Sequence, residues 1–121
     1  MTTGPEDMIR TTTCAVLDKK ARNVSILDVR GLTSYTDFLI VCSGESERQV
    51  RAIAEQALTA LKREGLLPLG VEGLQESQWV LLDYGDVVVH IFYGPIRRFY
   101  DLDGLWVDAP RIPVQESPSA D

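Results

Sequence analysis

Residues 79–92, WVLLDYGDVVVHIF, constrain the fold more than any other stretch of this chain. Two runs rich in β-branched and aromatic residues flank a Tyr-Gly pair, a pattern that specifies a β-hairpin. With Tyr84 and Gly85 as a two-residue turn, Asp83 faces Asp86, Leu81 faces Val88 and Trp79 faces His90. Alternation then gathers Val80, Leu82, Val87, Val89 and Ile91 on one wholly aliphatic side, which must be core. The other side presents Trp79, Leu81, Asp83, Asp86, Val88, His90 and Phe92, with Tyr84 at the tip.

The rest of the chain supplies the layers that bury the aliphatic side. A first helix is expected over about residues 6–21, with Met8, Ile9, Thr12, Ala15 and Val16 on one stripe. NVSILDV reads as a strand, and DFLIVCS as a second strand, apolar on both sides and therefore central. Ser46 and Gln49 have capping-box spacing and open a helix that continues to about Glu64. Its stripe is Val50, Ile53, Ala54, Ala57, Leu58 and Leu61, and Gly65 is a natural C-cap. LLPLGVEG contributes a short edge strand before the hairpin. After it, PIRRFYDLDGLW forms a short amphipathic segment expected to close the core through Phe99, Leu102, Leu105 and Trp106. The order predicts a single α/β domain over residues 1–107, a mixed β-sheet flanked by helices. Residues 108–121 hold three of the six prolines and little to bury, so they are expected to form a disordered tail.

Composition narrows the chemistry. Eighteen acids against twelve bases give a formal charge of −6, which disfavours a long phosphate backbone as principal partner. An acidic surface favours a basic protein instead, through electrostatic steering. Cys14 and Cys42 lie far apart and the chain has one histidine, so no zinc site is expected. Both cysteines read as reduced, partly buried small hydrophobes. MTTGPEDMIR has neither the basic nor the apolar region of a secretion signal, and no run reaches membrane-spanning length. The expectation is a soluble, cytoplasmic protein without a cofactor.

The mixed face of the hairpin has two readings. In one, helices cover both sides and Trp79 pairs with His90 in a half-buried structural contact. In the other, like-charged aspartates resist burial and stay ready for a cation, while Trp79 serves as an interface anchor. An enzymatic reading is weaker. SGES at 43–46 resembles the strand–Gly-Ser–helix opening of nucleotidyltransferases, but their D-x-D acids have only Asp101 and Asp103 as counterparts, in the terminal segment. The alternative function is therefore a magnesium- and nucleotide-dependent transferase using the Gly44–Ser46 turn with the hairpin acids.

TSYTDFLIVCSGESERQV, GLLPLGVEG, WVLLDYGDVVVHIF and RRFYDLDGLW, in this order, closely resemble the ribosomal silencing factor family, also called RsfS or Iojap. The resemblance covers about residues 11–107. It implies a nucleotidyltransferase-like fold without catalytic acids, and no catalytic or metal-binding residues. It implies binding to the large ribosomal subunit through large-subunit protein fourteen, where the bound factor blocks joining of the small subunit and represses translation when nutrients are scarce. A role in late large-subunit assembly and a homodimeric free state also follow from it. Carried over by motif, the partner-binding residues are Trp79, Asp83, Tyr84, Asp86 and His90, with Glu72 nearby. Arg97 and Arg98 are left a secondary contact with ribosomal RNA.

Overall fold

All seven residues of the strand Phe38–Gly44 are buried, and the architecture is organised around them. The computed structural model describes residues 4–114. In chain order its elements are α1 (Pro5–Asp18), β1 (Arg22–Asp28), β2 (Phe38–Gly44), α2 (Glu47–Arg63), β3 (Gly70–Glu72), β4 (Trp79–Asp83), β5 (Val87–Tyr93), α3 (Gly94–Tyr100), α4 (Leu102–Leu105) and β6 (Arg111–Ile112). The six strands form one sheet in the order β3-β4-β5-β2-β1-β6. Only β2 and β5 run parallel; every other pairing is antiparallel. The sheet is mixed, as expected.

Each side of the sheet has its own core. On the first, Val50, Ile53, Ala54, Ala57 and Leu61 of α2 and Met8, Ile9 and Val16 of α1 meet Ile40, Cys42, Val80, Leu82, Val87, Val89 and Ile91. The aliphatic hairpin face is thus buried. Each fully buried aliphatic side chain there contributes roughly 1.5–3 kcal/mol. The capping box orients α2: Ser46 Oγ accepts from the Gln49 N–H at 3.0 Å, while Gln49 Oε1 accepts from the Glu45 N–H at 2.6 Å. On the second side, Ile96, Leu102, Trp106 and Ala109 close over Leu27, Val29, Leu39, Val41, Val88 and Phe92.

Four expectations are corrected. The hairpin turn lies one residue later, because Tyr84 N–H donates to Val87 O at 3.0 Å and the turn centres on Gly85 and Asp86. Asp83 sets this turn by accepting the Gly85 N–H at 2.8 Å, and Gly85 adopts φ +87°, which suits glycine. The register becomes Asp83 with Val88, Leu81 with His90 and Trp79 with Phe92. A two-residue slip preserves parity, so the membership of both faces survives.

The tail does not leave the fold at residue 108. Ala109 is buried, Asp28 N–H donates to Pro110 O at 2.9 Å, and β6 pairs with β1 through Ile26–Ile112 and Leu27–Arg111. Residues 115–121 of the expected tail lie outside the described residues. Phe99 and Leu105 do not close the core; they are 79% and 70% exposed, whereas Leu102 and Trp106 do pack. Asp101, with a left-handed backbone (φ 48°), ends α3 and caps α4 with its carboxylate, so Phe99 and Leu105 sit on separate short helices and Ile96, Leu102 and Trp106 take the core positions. Cys14 is exposed while Cys42 is buried, and burial pushes the Cys42 thiol up to about 12.

Candidate functional site

Trp79 stands at the start of β4 on the second side of the sheet, with three rings around it. Its indole stacks on Phe92 (centroids 4.9 Å apart, planes 28°) and lies 4.9 Å from the ring of Tyr100 at 44°. Its Nε1 donates to His90 Nδ1 at 3.0 Å. His90 is only 6% exposed, and burial depresses its imidazole to about 4, so the ring is neutral at pH 7 and Nδ1 is free to accept. Opposite strand residues do not make this pair. Leu81 faces His90, and the indole reaches its acceptor diagonally.

The mixed face is therefore open along only part of its width. Val88, His90 and Phe92 on β5 are buried, because the segment from α3 to Ala109 folds across β5 and β2. Trp79, Leu81 and Asp83 on β4 are half-buried, and Glu72 on the edge strand β3 is exposed beside Leu81. The surface that remains is two strands wide at the sheet edge, with the half-open indole at one end of β4, Glu72 beside its middle and Asp83 at its other end.

The acids are arranged differently from the sequence expectation. Asp83 and Asp86 do not face one another. Asp83 is turned to the Gly85 amide, and Asp86 is exposed on the turn, its carbonyl accepting from the Asp37 and Phe38 N–H groups at 3.2 and 3.0 Å. Tyr84 is not a projecting tip residue. It is 9% exposed and belongs to the first core, where burial pushes its phenol up to about 12. Tyr84 continues the alternation of β4 two residues after Leu82, and its hydrogen bond to Val87 O keeps it in the strand register, so its side chain joins the Leu82 side.

Two residues join the surface that sequence reasoning did not place there. Tyr100 covers one edge of the indole while remaining 54% exposed. Tyr35, 57% exposed, lies near the acids; burial first, then the Asp83 and Glu72 charges, push its phenol upward. Adjacent Phe99 and Tyr100 in so short a helix could have signalled an outward ring, since both cannot enter one core.

Anchoring of α3 fixes Tyr100. The Arg97 side chain is 11% exposed and donates through Nε and Nη2 to Asp103 (3.0 and 2.9 Å) and through Nη1 to Asn23 O (2.7 Å) and Ser43 Oγ (2.9 Å). These guanidinium hydrogen bonds hold the Asp103 carboxyl below its ordinary range. With Asp103 bound to Arg97 and Asp101 accepting from the Gly104 N–H, the D-x-D pair is structural. Among the described residues no cluster of three or more His, Cys, Asp or Glu side chains forms a metal-binding group. The transferase alternative needs the Gly44–Ser46 turn and the hairpin acids together, and the sheet holds them apart. Gly44 lies at the Tyr93 end of β5 and the hairpin acids flank its Val87 end, about 20 Å away along a seven-residue strand.

Comparison with known proteins agrees with this geometry. A family model described as "Ribosomal silencing factor during starvation" matches residues 2–121. The protein named ribosomal silencing factor RsfS in Halalkalibacterium halodurans is 38% identical over 110 residues, covering 91% of this chain and 94% of that protein. The Bacillus subtilis protein of the same name is 37% identical, covering 87% and 89%. A crystal structure of a Chromobacterium violaceum protein superposes with a TM-score of 0.84 at 36% identity, covering 87% of this chain and 88% of that one. A second, from Bacillus halodurans, gives 0.80 at 37% identity, covering 89% and 98%. The order of its motifs, its sheet and its relatives agree: this chain belongs to the ribosomal silencing factor family.

Proposed function

We propose that the chain binds the large ribosomal subunit through protein fourteen of that subunit, using the β3–β4 edge of the mixed face, and so prevents the small subunit from joining. The carrying observation is Trp79: an indole fixed by Phe92, His90 and Tyr100 yet left half-open at one end of β4, on an edge that carries Glu72 beside Leu81 and Asp83 and Asp86 at the hairpin end. A preorganised aromatic loses little conformational freedom on docking, and truncating such an anchor typically costs about 2 kcal/mol or more. The acids pair with lysines or arginines of a basic ribosomal protein. At an interface rim each pair contributes roughly 0.2–1 kcal/mol and acts mainly on orientation and association rate. Tyr84 and His90 support this surface from beneath, Tyr84 by holding the turn and His90 by holding the indole.

Repression by this route requires no bond to be made or broken. Occupying the subunit interface suffices, and the protein acts in the cytoplasm as a non-enzymatic repressor when nutrients are scarce. In the free state it forms a homodimer, on the large subunit it also serves late assembly, and Arg98 adds a minor contact with ribosomal RNA. The test is sedimentation. Purified large subunits are incubated with the protein, small subunits are added, and whole ribosomes are counted. Fewer whole ribosomes, in proportion to the protein bound, is the expected result; unchanged joining with the protein bound rejects the mechanism.

A further inference from the structure

The two parallel strands β2 and β5 end side by side, with Gly44 opposite Tyr93. The chain leaves them in opposite directions. From β2 it enters α2, which packs on the first side of the sheet, and from β5 it enters α3, whose Ile96 packs on the second. Adjacent parallel strands that send their helices to opposite sides open a crevice at their carboxyl ends, the place where open α/β sheets bind ligands. Here the crevice has a volume of about 630 Å³, within the range of small-molecule sites.

Its floor is bare backbone: a Cβ on Gly94 would lie 3.8 Å from the carbonyl oxygen of Gly44. Arg22, Arg97, Arg98 and the half-buried Tyr93 line its walls, together with Glu45, Asp101 and Asp103. All three acids are engaged. Asp103 is bound by Arg97, Asp101 accepts from Gly104 N–H at 3.2 Å, and Glu45 meets Arg22 Nε at 3.0 Å. Arg98 is exposed and takes part in none of the ion pairs among the described residues. Arg22 meets Glu45 through Nε, so the pair can persist while the terminal nitrogens of the guanidinium donate to an incoming anion. The N-terminal amides of α2 are not the attraction, since Ser46 and Gln49 already cap that end. The charge of −6 works against a long phosphate polymer. A small ligand responds mainly to charges within a Debye length of roughly 8–10 Å.

We propose that the crevice at the carboxyl ends of β2 and β5 binds a small phosphate ester of the nucleotide class, its phosphate held by Arg98 and Arg22 and its body lying against Tyr93 over the Gly44–Gly94 floor. Because the neighbouring acids are engaged within the protein, binding is independent of divalent metal and leads to no turnover.

The experiment titrates the full-length, nitrogen-15-labelled chain with pyrophosphate, ADP, GDP and adenosine, each in EDTA, and follows backbone amides by NMR. Pyrophosphate and both nucleotides should shift Gly44, Glu45 and Gly94 along one saturable curve, with a dissociation constant of about 1 mM or tighter; adenosine should bind about tenfold more weakly. Nucleotides tighter than pyrophosphate place the nucleoside on Tyr93, while affinities equal to that of pyrophosphate overturn the nucleotide assignment. Arg98→Glu changes an exposed side chain and should weaken binding about tenfold or more, whereas Arg10→Ala on α1 should leave it unchanged. The proposal is overturned by silence of those amides at about 10 mM ligand, by undiminished affinity in Arg98→Glu, or by binding that appears only when magnesium replaces EDTA.

Discussion

Trp79 Nε1 and His90 Nδ1 are joined by a 3.0 Å hydrogen bond in which the chain's single histidine is the acceptor. The bond requires a neutral imidazole, and burial supplies one by lowering the ring's affinity for protons to about 4. Folding and the docking surface thus share one proton equilibrium.

Stability should therefore depend on pH in a defined window. The folded imidazole titrates near 4 and the unfolded one near 6.5, so between these values the unfolded chain binds more protons. The contribution is fully present above about pH 6.5 and is lost as pH falls towards 4, with a magnitude on the order of 3 kcal/mol. Urea denaturation from pH 7.5 to 4.5 should show this loss. His90→Gln, which keeps an acceptor for the indole without titrating, should flatten the curve across the same window.

Trp79→Ala should weaken large-subunit binding by about 2 kcal/mol or more, read by co-sedimentation. It also leaves His90 Nδ1 without its donor, a cost of roughly 1–3 kcal/mol in stability. Tyr100→Ala separates the two effects. Its ring is more than half exposed and touches Trp79 at one edge, so binding should fall several-fold with little change in melting. Wild-type affinity in a folded Tyr100→Ala protein would remove α3 from the interface.

Charge at the turn should act on rate more than on lifetime. Asp86 is exposed and its side chain makes no ion pair among the described residues, so Asp86→Lys leaves the fold intact. Stopped-flow association with large subunits should slow several-fold at low ionic strength, and the difference should shrink as salt screens the surface. A slowdown that persists at high salt points instead to a steric defect. Asp83 is unsuited to this test, because its carboxylate holds the Gly85 amide.

What could be read from the sequence follows from which forces are local. α2 was legible because the Ser46–Gln49 cap and the Val50–Leu61 stripe lie in adjacent turns of one helix. The hairpin faces were legible because parity survives a two-residue slip; its register was not, since a side chain, Asp83, chooses the turn. Nothing local marks β6, which exists because β1 offers an unpaired edge to Arg111 and Ile112. At the site, Trp79 and His90 do meet, but the extent of cover over β5 depended on where residues 94–109 would travel. Apolar character alone put Phe99 and Leu105 inside, but the segment breaks at Asp101 into two short helices whose core positions fall to Ile96 and Leu102.

Arg97 is the anchor on which that path depends. One guanidinium joins α3 to Asp103 beyond the helix, to Asn23 O on β1 and to Ser43 Oγ on β2. The Arg97–Asp103 pair is largely buried on the arginine side, with side chains 11% and 29% exposed, and removing one partner of such a pair costs about 3–5 kcal/mol when burial is complete. Arg97→Ala should therefore lower stability by an amount approaching that range, measured by urea denaturation. Arg97→Lys should recover little, because an ammonium cannot reproduce the planar fork that serves Asp103 through two nitrogens and two further acceptors through a third. Since α3 carries Tyr100 against Trp79, the lysine variant should also change the tryptophan emission and weaken large-subunit binding at temperatures where it remains folded. A folded Arg97→Lys protein with unaltered emission and full binding would show that the core contacts of Ile96 and Leu102 alone hold the segment in place.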